Sequence, residues 1–273
     1  MLKTLASLDR RIVFLGVAVF ALLPLMFPLG LPVATTPEVK SIYDKIEKLP
    51  PRSPILISMD FDPASAAELL PMATALVHHA LERNLRVITV SLWAPAPGIM
   101  DSLLADAARE TGREHGKDWV DLGYQAGGYA LVIRLGQSIK TTFREDSTGT
   151  PTADMEVLKG VDSLKNIAYQ VELAAGEPGI GSWYYFGKEK FHYDMGVGCT
   201  SVGAPEWYPF LQTGQLNGLI GGMRGAAEYE KLIQRPGAAT PAMDPLSTTS
   251  LLVIALVVFG NIMFFLTGGT KKR

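Results

Sequence analysis

Two uncharged apolar stretches, one near each end, constrain this 273-residue chain more than any other feature. Residues 12–32 (IVFLGVAVFALLPLMFPLGLP) carry no ionisable side chain, and about 20 residues at 1.5 Å rise cover the roughly 30 Å hydrocarbon core of a bilayer. Pro24 and Pro28 lie in the second half and predict a kink or an early end to the helix. The second stretch, Leu251–Leu266, is sixteen uncharged residues. Thr248, Thr249, Ser250 and Thr267 extend it to a span over 248–267, because hydroxyls bond back to helix carbonyls. Asn261 lies inside this span and is read as a contact to the first span or to another subunit. A cleaved secretory leader is the competing reading of the first stretch. The apolar run exceeds the roughly 7–15 residues of such a leader, and the small-residue cleavage pattern is poor.

Both outer flanks are basic: residues 1–11 hold Lys3, Arg10 and Arg11, and residues 268–273 hold Lys271, Lys272 and Arg273. Lys and Arg stay preferentially on the cytoplasmic side, so a two-pass plasma-membrane protein with both termini cytoplasmic and residues 33–250 outside is expected. Lys40, Lys45, Lys48 and Arg52 follow the first span and run against this rule. Positions 33–250 hold 19 basic and 26 acidic residues, a net of −7, which repels a phosphate backbone and argues against a nucleic-acid partner. The single cysteine, Cys199, excludes an intrachain disulfide and any multi-cysteine metal site.

Between the spans, residues 33–53 read as a linker helix with Val39, Ile42, Tyr43 and Ile46 at helical spacing, and residues 236–247 as a flexible link. The body, 54–235, alternates strand and helix patterns. Expected strands are Pro54–Met59, Arg86–Leu92, Trp119–Leu122, Ala168–Ala174 and Met195–Val202. Expected helices include Ser65–Asn84, opened by a Ser65/Glu68 capping box and interrupted or kinked at Pro71. Ile99–Arg113, Tyr129–Ile139 and Trp183–Phe191 read as further helices, and 206–233 as one or two more. Such alternation implies an α/β domain with a mainly parallel, doubly wound sheet, flavodoxin-like or Rossmann-like.

In such sheets ligands bind beyond the carboxyl ends of the strands. The loops there make Asp60, Asp62, Gly127, Gly128, Gly176, Glu177, Gly179 and Ser201 the ligand-binding candidates. Pro54–Met59 followed by Asp60-Phe61-Asp62 resembles the first motif of the haloacid-dehalogenase phosphatases, which implies Asp60 as nucleophile, Asp62 as general acid and Mg²⁺ between them. Ser91, ending the next clear strand, could stand for the second motif, but Ala64 replaces the usual Thr and no later acidic pair completes the metal site. The bland reading is that both aspartates cap a turn ahead of the helix. Cys199 in a strand reads as a small core residue rather than a nucleophile served by His192, and the neighbours His78 and His79 read as a surface or boundary pair. Gly218, Gly221, Gly222 and Gly225 interrupt a helical pattern and suggest a close backbone contact within the domain or with a partner. No cofactor and no metal are implied.

The layout of span, Thr36-Pro37-Glu38-Val39, short helix, strand ending in Asp60-Phe61-Asp62-Pro63, Rossmann-like domain and closing span resembles a set of uncharacterised bacterial two-span proteins. Asp121-Leu-Gly-Tyr124 and Gly222-Met-Arg-Gly-Ala-Ala-Glu-Tyr-Glu230 carry that likeness. In architecture it also resembles the membrane-anchored auxiliary components of gliding-motility-type ABC transport systems. The resemblance implies a membrane-tethered, non-enzymatic binding or scaffolding subunit of a cell-envelope complex, transport-associated, with the bilayer and a membrane protein or further copies as partners. The alternative is a Mg²⁺-dependent hydrolase built on Asp60 and Asp62.

Overall fold

The computed structural model describes residues 9–266. They divide into two compact units, one over residues 33–239 and one made from the two ends of the chain.

The α/β unit is built on six strands: β1 (Pro54–Asp60), β2 (Arg86–Ser91), β3 (Trp119–Tyr124), β4 (Tyr169–Ala174), β5 (Met195–Cys199) and β6 (Leu219–Gly221). Every neighbouring pair is parallel, in the order β3-β2-β1-β4-β5-β6. The chain starts in the middle, winds out to β3, returns and winds out to β6. That is the Rossmann order rather than the flavodoxin one, with its topological switch point between β1 and β4. Ser58 faces Val90 on one side and Glu172 on the other. Apart from Pro54, Arg86, Trp119, Tyr124 and Gly221 at their ends, the strands are buried, because helices cover both faces.

On one face, α3 (Ala66–Glu82) packs against α4 (Pro97–Thr111) and α10 (Gly222–Leu232), and α10 in turn against α2 (Pro37–Glu47). On the other face, Leu56, Ile88, Val120, Met195 and Val197 meet Leu131 and Leu135 of α5 (Tyr129–Gln137), together with Trp183 and Tyr193. Val39, Ile42 and Ile46 of α2 are buried, so this helix is part of the domain and not a separate linker. Helix α3 runs unbroken through Pro71, and no capping box opens it: the Ser65 side chain makes no cap bond.

Residues 206–233 are not simply helical. After the short helices α6 (Ile139–Thr142), α7 (Ile180–Trp183) and α8 (Glu189–Phe191), they comprise the end of α9 (Ala204–Gln212), the sixth strand, and α10. The glycines serve that change of direction. Gly222 turns from β6 into α10 with φ +58°, and a Cβ there would sit 1.8 Å from Ser201 Oγ. Gly218 lets the sheet edge approach α2, where a Cβ would lie 2.6 Å from the Glu38 carbonyl oxygen. A Cβ on Gly221 would meet Ala204, and one on Gly225 would meet Ile220. The contact these four glycines make is therefore inside the domain.

The second unit holds α1 (Arg10–Met26), whose first turn is capped by Asp9 accepting from the Arg11 N–H at 3.0 Å, and most of α11 (Ala239–Leu266). Helix α1 contains Pro24 and stops at Met26, so the apolar residues 27–32 are not helical. The carboxylate of Asp244 takes the N–H groups of Leu29, Gly30 and Leu31 at 2.7, 2.9 and 2.9 Å, while Thr248 donates to the Phe20 carbonyl at 2.7 Å. Helix α11 begins at Ala239, so the expected flexible link over 236–247 is largely helix, including Pro245. Among the described residues, α11 is the one helix long and apolar enough to cross a membrane, with 28 residues and a mean hydropathy of 2.4 over an 18-residue stretch. Helix α1, at 17 residues, is shorter than the span read from its sequence. Asn261 donates to its own helix at the Val257 carbonyl, 3.0 Å away. Lys3, Thr267, Lys271, Lys272 and Arg273 lie outside the described residues.

Candidate functional site

The carboxyl ends of β1 and β4 meet at the switch point, where this fold places its ligand crevice. Asp60 ends β1 there and is fully buried. Its Oδ1 receives the Leu92 N–H at 2.5 Å and lies 3.1 Å from Ser91 Oγ. Its Oδ2 receives the Trp183 indole N–H at 3.0 Å and the Ser58 hydroxyl at 3.1 Å. Ser91 Oγ also accepts the Trp93 N–H at 2.9 Å, so the β2 loop folds around this one carboxylate.

Glu172 of β4 lies beside Asp60 and is also fully buried, with no donor to either oxygen among the described residues. Burial, and then the neighbouring Asp60 charge, hold the Glu172 carboxyl well above the usual carboxylate range. Burial raises Asp60 as well, but its donors oppose that shift. Four donors converge on Asp60 and oppose its upward shift, so of the two buried carboxyls Glu172 is pushed up the further. Gln170 and the Tyr193 hydroxyl complete a buried polar row without partners of their own among the described residues.

Asp62 does not join Asp60. Its Oδ1 accepts from Ser65 N at 3.0 Å and Ser65 Oγ at 2.7 Å, and these bonds hold its carboxyl below the usual range. This is a turn cap ahead of α3. Nor do three or more His, Cys, Asp or Glu residues converge into a metal-sized group among the described residues.

The other strand-end loops repeat the pattern seen at Asp60. Glu177 folds back over the helical turn that follows β4, taking the N–H groups of Gly179 and Gly181 at 3.0 and 2.9 Å and the Ser182 hydroxyl at 3.1 Å. Glu68 of α3 reaches across to the loop after β5 and takes Ser201 N at 2.8 Å and Ser201 Oγ at 2.7 Å. The backbone N–H groups that a Rossmann crevice would offer to an anionic ligand thus face carboxylates of the chain itself. Trp93 crosses the crevice, its indole N–H on the Pro178 carbonyl at 2.6 Å. The space left beside Gly176, Glu177, Cys199 and Glu206 is about 120 Å³. Gly127 and Gly128, both with positive φ, turn into α5; Gly128 faces Pro178, and neither borders that space.

Cys199 is buried in β5, and burial pushes its thiol up to about 12, so a thiolate is disfavoured. The histidine pair is not on the surface: His78 and His79 are 4% and 3% exposed. His79 is bonded on both ring nitrogens, to the Tyr229 hydroxyl at 2.7 Å and to Glu47 at 3.0 Å. Partners supplied by α2 and α10 make that burial tolerable.

Sequence reasoning passed over Glu172, Trp183 and Asp121. Asp121 is buried at the end of β3, bonded to Thr89 Oγ1 at 2.8 Å and Gly123 N at 3.0 Å, and burial raises its carboxyl to about 6. The signal for Glu172 was an acid inside an apolar strand of a sheet expected to be covered on both faces. No protein-family model, no curated protein and no solved structure matches this chain.

Proposed function

We propose that this chain is a membrane-tethered, non-enzymatic binding or scaffolding subunit of a cell-envelope complex, with its α/β domain outside the cytoplasm and both termini inside. The observation that carries this reading is the closed crevice. Asp60, Glu177 and Glu68 occupy the donors at the strand ends, leaving little room where a Rossmann enzyme holds its cofactor. A hydrolase using Asp60 needs that carboxylate in contact with substrate, whereas it is wholly buried. The apolar α11 supports the tether. The basic flanks support the orientation. Helix α1, uncharged from Ile12 to Met26 and about 26 Å long at 1.5 Å per residue, supports reading a second crossing there. The likeness to transport-associated auxiliary components makes a membrane-transport assembly the kind of complex to look for, with a membrane protein or further copies of this chain as partner.

Cysteine accessibility tests the topology. In a Cys199→Ser background, Thr148→Cys in the surface loop should react with a membrane-impermeant maleimide on spheroplasts, and Ser7→Cys should react only after lysis. The reverse pattern overturns the orientation. Extraction in mild detergent should yield an oligomer or a complex with another membrane protein, and a bare monomer overturns the scaffold.

A further inference from the structure

Residues 144–151 fold over the carboxyl half of β3, and of this stretch only Asp146 is buried. Asp146 ties the loop into a unit. Its Oδ1 accepts the N–H groups of Thr148 and Thr150 at 2.9 and 2.8 Å, and its own N–H goes to the Thr150 carbonyl at 3.0 Å. The Thr152 N–H on the Arg144 carbonyl closes the stem at 3.0 Å. Polar bonds then fasten the unit to the domain. The Ser147 N–H donates to the Asp121 carbonyl at 2.9 Å, the Ser147 hydroxyl to Asp101 of α4 at 3.2 Å, and His115 Nε2 meets Asp146 Oδ2 at 2.6 Å. Beneath the loop lies Asp121, 1% exposed. Thr89 and Gly123 hold its Oδ1, and its Oδ2 has no donor among the described residues. The charge that faces it from α4 is Asp101; further along that helix, Asp106 and Arg109 are exposed and pair with each other at 2.8 Å. Strand β2 brings only the Thr89 hydroxyl. Beside His115, Glu114 pairs with Lys117 at 3.3 Å and the Trp119 ring lies edge-on at 4.9 Å. Arg144 and Glu145 in the stem are exposed.

We propose that residues 144–151 form a pH-sensitive lid on β3, shut in mild acid and released as the pH rises to neutral and beyond. Both fastenings give the same sign. Burial, with the Asp101 charge behind it, lifts the Asp121 carboxyl to about 6. A raised value favours the closed lid while the proton is on, and that support is lost as pH climbs through about 6. Above it, Asp121 is an ionised carboxylate with one bare oxygen and a second carboxylate for a neighbour. Such a group needs water, and lifting the loop admits it. At the other fastening, an imidazole gains its charge between about pH 8 and 5. A charged His115 holds Asp146 by ion pair and hydrogen bond together, a neutral one by the hydrogen bond alone. The lid buries no apolar side chain, so weakening these polar contacts is enough to open it without disturbing the core. The inference rests on the β3 end of the sheet, and it stands or falls separately from the membrane topology and the scaffold role.

Hydrogen exchange tests it on the full chain in lipid nanodiscs at about pH 5 and about pH 8, with each rate corrected for the intrinsic pH dependence of amide exchange. Protection of residues 146–150 should fall at least fivefold from the lower pH to the higher. Asp121→Asn keeps the size and the acceptor for Thr89 and Gly123, and Asp101→Asn alters an exposed side chain, so neither endangers the fold. In each of them the fall should shrink at least twofold. His115→Gln keeps a donor for Asp146 without the charge, and combined with Asp121→Asn it should abolish the fall. Equal protection at the two pH values, protection that rises with pH, or a fall that the double variant leaves intact each overturns the proposal.

Discussion

The indole N–H of Trp183 donates to the carboxylate of Asp60 at 3.0 Å, joining residues 123 positions apart. The bond ties the helix after β4 to the end of β1, across the switch point of the sheet. With Leu92, Ser91 and Ser58 on the same carboxylate, Asp60 is the pin around which the upper loops are assembled. Asp60→Ala leaves these donors buried and unmatched, and should cost about 3–5 kcal/mol. Trp183→Phe removes one donor and some packing, and should cost about 1–2 kcal/mol. Urea unfolding followed by circular dichroism measures both. An Asp60→Ala loss below about 1 kcal/mol would mean the loops are held by something else.

Asp121 predicts a stability that falls with rising pH. Its folded value is about 6 against an ordinary 3.8, so the folded state prefers the protonated carboxyl. The contribution is full below the ordinary value and is lost as pH climbs through about 6. The loss is at most about 3 kcal/mol. Asp118 and Asp146, held below the usual range, act in the opposite sense at lower pH, while His78 and His79, lowered by burial, oppose it within the window, so the difference between variant and wild type carries the prediction. Asp121→Asn should gain stability relative to wild type as pH rises from about 4 to 6 and be the more stable of the two at about pH 7. Parallel urea midpoints at the two ends of the window give the answer.

Glu172 follows the same sign, because burial and then Asp60 raise its carboxyl. Glu172→Gln should gain stability relative to wild type as pH rises above the ordinary carboxylate range. A variant that is less stable at every pH would place the proton elsewhere in the pair.

How much of this could be read beforehand differs between strands and site. Five strands were visible because each is a run of apolar and β-branched residues between turn formers. The sixth is only Leu219–Gly221, set among glycines, and looks like an interrupted helix until the approach of α2 is known. Asp60 was visible as the polar end of an apolar strand. Glu172 was not, since Gln170 and Glu172 alternate with Tyr169, Val171 and Leu173 as on a sheet with one wet face. His78 and His79 were misplaced because their partners lie in other helices, one of which had been read as an outlying linker. The glycines around 218–225 announced a tight contact without naming its other side.

That contact gives a packing prediction. Gly218→Ala puts a methyl group 2.6 Å from the Glu38 carbonyl oxygen, on backbone that cannot swing aside. Overpacking of this kind costs about 1–3 kcal/mol. The damage should show locally, as faster hydrogen exchange in α2 and β6 than in β1.

Asp244→Ala should release the segment it clasps. The N–H groups of Leu29, Gly30 and Leu31 all end on this one carboxylate. Their exchange should quicken at least tenfold, with cleavage by an added protease rising between residues 27 and 33. Unchanged protection would show that the carboxylate is not what orders them.

Glu177 is joined by its own backbone to the groups it caps, two and four residues away. A tethered anion of this kind has an effective concentration at least on the order of millimolar, and it never diffuses off. Phosphate or chloride in the surrounding fluid therefore competes against a resident that cannot be washed out. The turn after β4 therefore carries its own counter-charge and does not have to draw one from the fluid around it to hold its shape.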